Sequence, residues 1–216
     1  MANIPVFVKQ AEQRIYNSVQ FPSLRKNVTG SVSASNKYLS CPNDFLSVYS
    51  LAVITGVTGG NLNTGSYEYL LNKDVNFIRQ AYPSPNDTGT PKYYALFGPT
   101  VSGAVISDEL SFILGPTPDA AYDVELHYYY YPESITVAAD GQTWLGDNFD
   151  TVLLYGSLVE AYTFMKGEND MMALYDGKYK EALALAKRLG DGLERSDAYR
   201  SGQYRAAPLP QNNGVA

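Results

Sequence analysis

A chain of 216 residues, 45% hydrophobic and 18% charged, can bury the core of one large domain or two small ones, and is too apolar to be disordered. Its formal net charge of −6, with no basic cluster, argues against gripping a phosphate backbone by charge but is compatible with DNA sliding past. No run approaches the roughly 18 apolar residues of a membrane span, and the start "MANIPVFVKQAEQRIY" lacks the form of a signal peptide.

In chain order, Val8, Ala11, Ile15 and Val19 recur at spacings of three and four, with Lys9, Glu12, Gln13 and Arg14 assigned to the opposite side. This predicts a helix, begun near Pro5 and stopped by Pro22. Residues 27–40 are rich in Ser, Asn, Thr and Gly and predict a loop, with at most a short strand near Tyr38. Residues 45–54 are apolar on both alternating faces, which predicts a strand covered on both sides. "TGVTGGNLNTG" is a long loop, "SYEYLL" a second short strand, and "NKDVNFIRQAYP" a short helix closed by Pro83. Residues 92–97, 103–107, 110–114 and 122–131 complete the strands, separated by Gly/Pro turns, as in an antiparallel sandwich.

After Pro132 the period returns to helical. Asp147 and Asp150 suit the start of a helix through "NFDTVLLYGSLVEAYTFM", apolar almost all round and so expected to be buried. Gly167 ends it, and Asn169 or Asp170 begins another with a stripe of Met171, Tyr175, Tyr179, Ala182, Ala186 and Leu189. Gly190 and Gly192 should break that helix. The expected fold is α+β. Residues 1–26 and 140–193 form a helical bundle, residues 27–139 a β-rich antiparallel sandwich-like insertion, and residues 194–216 an extended tail.

Chemistry is weakly signalled. His127 is the only histidine and lies mid-strand, and Cys41 is the only cysteine, which excludes an internal disulfide and suits a reducing compartment. Neither a zinc nor a calcium pattern is present, and "GVTGGNLNTG" lacks the lysine of a phosphate cradle. The sequons at Asn27 and Asn86 read as chance matches, and no catalytic residue, metal or cofactor is expected.

The 19 tyrosines are the unusual feature, because tyrosine fills apolar space while keeping a hydroxyl and is enriched at interfaces. In residues 122–131 one alternating face, Tyr122, Val124, Leu126, Tyr128 and Tyr130, reads as core. The other runs from Asp123, Glu125 and His127 to Tyr129 and Tyr131. Those last two either cover the junction between sheet and helices or stack against a neighbouring subunit or a sugar ring.

The ordered set "AEQRIY", "CPNDFLSV", "TGTPKYYALFG", "LGPTPDAAYDVELHYYYYPESI" and "TVLLYGSLVEAYTFM" resembles bacteriophage head-to-tail adaptor proteins across residues 5–190. Cys41 stands where that family usually has leucine before the proline. The resemblance implies a structural virion protein without an active site, located at the neck between capsid and tail and present in host cytoplasm during assembly. It implies a homo-oligomeric ring, a dodecamer to match the portal, whose partners are the portal protein and tail or nozzle proteins. Genomic DNA would pass through the ring without specific binding, and no membrane is involved. The tail would run onto the portal or an adjacent subunit, with the repeated pairs Tyr199–Arg200 and Tyr204–Arg205 as anchors, residue types that often carry binding energy. The competing reading is a carbohydrate-binding β-sandwich module of a phage tail or bacterial protein, which the helical ends and the single tryptophan, Trp144, oppose.

Overall fold

The computed structural model describes residues 3–102 and 105–201, with side chains placed except at residues 22, 99–102, 105–109 and 191–201. The chain forms two compact units, Met1–Pro22 with Glu133–Ala216, and Ser23–Pro132. The fold is mixed α+β with two antiparallel-rich sheets.

In the β unit, β1 (Arg25–Val32), β8 (Tyr122–Tyr129), β3 (Ser47–Thr55) and β4 (Ser66–Tyr69) make one antiparallel sheet in that order. The second sheet has the order β2 (Tyr38–Ser40), β7 (Val105–Gly115), β6 (Tyr93–Ser102), β5 (Leu71–Asn72), with β5 and β6 parallel. Inward side chains of both sheets share one core: Leu51, Val53, Val124, Leu126 and Tyr128 from the first, Tyr94, Phe112 and Leu114 from the second. The two-residue period sends Ile113 to the other side of β7, where with Ala95 it packs under Ile78 of α2 (Val75–Ala81). Helix α2 is capped by Asp74, whose side chain accepts from Asn76 N, and ends before Pro83 as expected.

Four strand expectations change. The loop predicted at 27–40 contains β1, a full strand of eight residues. Strand β1 is an edge held by backbone pairing to β8 alone, and most of its side chains are exposed, so nothing selects an apolar pattern. Residues 105–107 and 110–114 belong to one strand, β7, paired along its length with β6, and residues 103–104 lie outside the described residues. "SYEYLL" divides between the two sheets: β4 pairs with β3, Leu70 N still donates to Leu51 O, and Leu71 N donates to Lys92 O beside β6. On β3, only Leu51 to Ile54 is buried on both faces; the first half is partly open.

Within the core wall, Lys26 Nζ donates to Asp44 Oδ2 at 2.8 Å and the Tyr128 hydroxyl donates to Asp44 Oδ1 at 2.7 Å. Burial pushes the Asp44 carboxyl up, but the two hydrogen bonds outweigh it and hold the group below its ordinary 3.8. A carboxyl depressed by folding adds stability above its unfolded value and loses it as pH falls through the lower folded value. Tyr128→Phe is therefore expected to reduce stability near neutral pH by about 1–2 kcal/mol, and to shrink the loss on acidification below 3.8. Urea midpoints of both proteins on either side of that window measure it.

The helical unit contains α1 (Ile4–Ser18), α3 (Trp144–Asn148), α4 (Asp150–Met165) and α5 (Asn169–Ser201). Helices α1 and α4 pack together, as do α4 and α5. Asp147 is not the cap expected at the start of α4. Thr143 caps the separate α3 by accepting from Gly146 N at 3.1 Å, and Asp147 lies within that helix. Helix α4 ends with Lys166 in the left-handed region at φ 54°, followed by the Gly167 N–H donating to Tyr162 O at 2.9 Å. Helix α5 does not break at Gly190 and Gly192 but runs to Ser201. Its packing continues through Gly190, which is buried against Val19 and Gln20, where a Cβ would meet Val19 at 2.8 Å. Of the tail expected from Glu194, the backbone to Ser201 is helical and residues 202–216 lie outside the described residues.

Glu12 also departs from expectation. It is four residues after Val8 and so falls under the apolar stripe, 2% exposed, where Oε1 accepts from Ile135 N at 2.9 Å. Glu12→Ala leaves that buried amide unpaired and is expected to lower the stability of the helical unit by about 2 kcal/mol. Trp144, the only tryptophan, sits in this unit against Phe21 and Phe149, so its fluorescence during urea unfolding reads the change.

Candidate functional site

The outward face of the first sheet gathers aromatic side chains that the sequence scatters. Antiparallel register sets Arg25 and Ser47 on either side of Tyr129, and Asn27 and Ser50 on either side of His127. Between Val48 and Ser50 the register of β3 shifts, so Tyr49 is the additional residue of a bulge. A bulge re-aims its side chain. Here the Tyr49 ring meets His127 edge-on at 5.1 Å and Tyr129 at 6.0 Å, while the Arg25 guanidinium lies 4.5 Å from the Tyr49 centroid and 5.8 Å from that of Tyr129.

Further along the same sheet, Tyr67 and Tyr69 of β4 are exposed. Burial first, then the charge and hydrogen bond of Glu125, push the Tyr67 phenol above its ordinary 10.0. Tyrosine–arginine surfaces of this kind offer large, stiff contact area with polar tips, suited to binding another macromolecule. Among the described residues no group of three or more His, Cys, Asp and Glu could hold a metal ion, and no helix is long and apolar enough to cross a membrane.

Of the residues singled out in the sequence, Tyr129 is the last residue of β8 and belongs to this cluster. Tyr131 lies beyond the strand end and is also exposed. Tyr199 and Arg200 fall on the final turn of the α5 backbone; their side chains, and Tyr204 and Arg205 altogether, lie outside the described residues. Arg25 and Tyr49 were missed. Arg25 belongs to the strand without an apolar pattern, and a bulge at Tyr49 depends on pairing that no local signal announces.

A sheet face built from rings and a guanidinium is the equipment of a protein that works by contact. The sequence model of the SU10 adaptor protein matches residues 1–207, and the chain belongs to this family of phage head-to-tail adaptors. Membership makes it a structural phage protein of the virion neck, associated with portal and tail components. No curated protein matches the chain in sequence.

Proposed function

We propose that copies of this chain form a closed dodecameric ring beneath the portal, which joins capsid to tail and continues the DNA channel without any chemistry of its own. The family match over residues 1–207 carries this reading. The net charge of −6 on every copy supports a channel wall that does not hold DNA. The ring assembles in host cytoplasm and is contacted on its far side by tail or nozzle proteins. Residues 194–216 anchor it through Tyr199, Arg200, Tyr204 and Arg205, and Tyr129 and Tyr131 serve a subunit or domain interface.

Electron micrographs of portal-bearing heads with and without the protein test the ring. Added density of matching symmetry is expected, and its absence overturns the reading. A chain ended after Leu193 keeps Tyr179, Ala186 and Gly190, the buried ones among the described residues of α5, and is expected to fold yet fail to join heads; normal docking removes the anchor role. His127→Gln, which removes only a ring contact with Tyr49, is expected to leave assembly near normal. The Tyr49–His127–Tyr129 face, on which Tyr49 is exposed and the other two half-buried, also suits stacking on sugar rings, and selective retention on a glycan array, with no ring on portals, would favour that second reading.

A further inference from the structure

Two helices of the helical unit carry apolar stripes that stand largely open, with Leu158 and Ala161 of α4 half-buried. On α4, Leu154, Leu158, Ala161 and Met165 follow a helical repeat opposite the buried Val152, Gly156 and Val159, and Leu154 and Met165 are 56% and 61% exposed. On α5, Leu174, Leu185 and Leu189 share a flank with Lys178, Glu181 and Arg188, and Leu174 and Leu185 are 52% and 60% exposed. Exposed large side chains at regular spacing on two helices mark a contact surface.

The stripes differ in charge. Asp150 opens the α4 stripe and Asp147 precedes it, with no base from residue 140 to 160; Glu160 is already paired with Arg14. Residues 178–188 carry Lys178, Lys180, Lys187 and Arg188 against Glu181 alone. Glu181 is already paired with Lys178 and Asp176 with Lys180, whereas Lys187 and Arg188 have no ion pair among the described residues. Parallel packing of α4 on α4 of another copy would oppose Asp150 with Asp150, and parallel packing of α5 on α5 would oppose Lys187 and Arg188 with their like. Seating α5 on α4 instead can bring Arg188 to Asp150, a complementary pairing.

Resting on the ring reading above, we propose that the α5 stripe of one copy seats on the α4 stripe of the next. Such a contact uses two different faces of each subunit, so it propagates head to tail and closes into a ring when the rotation allows. Leu185 would lie in the apolar middle, with Arg188 reaching the Asp147–Asp150 end. The occupant of each stripe is a second copy of this chain.

The test uses the full chain carrying Cys41→Ser, Leu154→Cys and Leu185→Cys, incorporated into virions and treated with a short bismaleimide. Both new thiols are expected to react with a monofunctional maleimide before assembly. The double variant should give a ladder of covalent multimers, and each single variant only monomer. Rings that form without a ladder overturn this contact and leave the ring reading standing; dimers of the Leu154→Cys variant alone do the same by showing α4 against α4. No ring at all overturns both. Thiols already shielded in the unassembled chain would mean that its own residues 202–216 cover the stripes, and the proposal falls. As an independent arm, Asp150→Lys and Arg188→Glu should each cause loss of incorporated copies, and the two together should restore them. Lack of restoration counts against the pairing.

Discussion

Phe112→Ala is expected to destabilise the β unit by about 4 kcal/mol, the largest effect of any single truncation considered for it. Phe112 has no exposed surface and stands edge-on to two rings of the shared core, Phe45 at 5.5 Å and Tyr94 at 5.7 Å. Its neighbours cannot collapse into the space, because β7 is fixed between β2 and β6 and its opposite side is occupied by Ile113 under α2. The loss therefore includes both the transfer of a buried ring and the cavity left behind. Near-UV circular dichroism of the tyrosines during urea unfolding measures it. A shift worth less than about 2 kcal/mol would mean that the sheets close over the gap.

Gly156→Val is expected to lower the stability of the helical unit by about 3 kcal/mol, while Gly156→Ala is expected to be nearly neutral. Gly156 is buried where α1, α4 and α5 approach one another, and a Cβ there would lie 3.2 Å from the Tyr179 ring and 3.3 Å from the Ala11 Cβ. One methyl group is a tight fit that the helix-propensity gain of about 1 kcal/mol offsets. The two further methyls of valine have nowhere to go without moving a helix. Trp144 fluorescence follows the transition, and equal midpoints for the alanine and valine proteins would show that the helices are not in close contact at this point.

How much of this was legible depends on whether a residue's surroundings are set by its neighbours in sequence. The core face of β8 was, because strict alternation places Val124, Leu126 and Tyr128 on one side whatever they pack against, and all three are buried. Helix α2 was, because Val75, Ile78 and Ala81 sit at helical spacing and Pro83 bounds it locally. Glu12 was not: its charge suggested solvent, yet its position under Val8 places it where the Ile135 amide arrives from more than a hundred residues away. The aromatic cluster was half legible, since alternation puts Tyr129 outward, but its companions Arg25 and Tyr49 come from an edge strand and a bulge.

The sequence by itself determined the α+β class, most of the buried stripes of α1 and α5, the inward face of β8 and the family, because each rests on local periodicity or on an ordered set of short motifs; it read α4 as buried all round, whereas Leu154, Phe164 and Met165 are exposed. Tertiary structure alone decided the pairing of β1 with β8, the passage of one short segment from the first sheet to the second, the burial of Glu12 and the continuation of α5 past two glycines. Each of these is stabilised by a partner distant in the chain: backbone hydrogen bonds in the strands, the Ile135 N–H donating to the Glu12 side chain, and contact with Val19 and Gln20 at Gly190. Such partners override what a residue's own preference and its near neighbours predict.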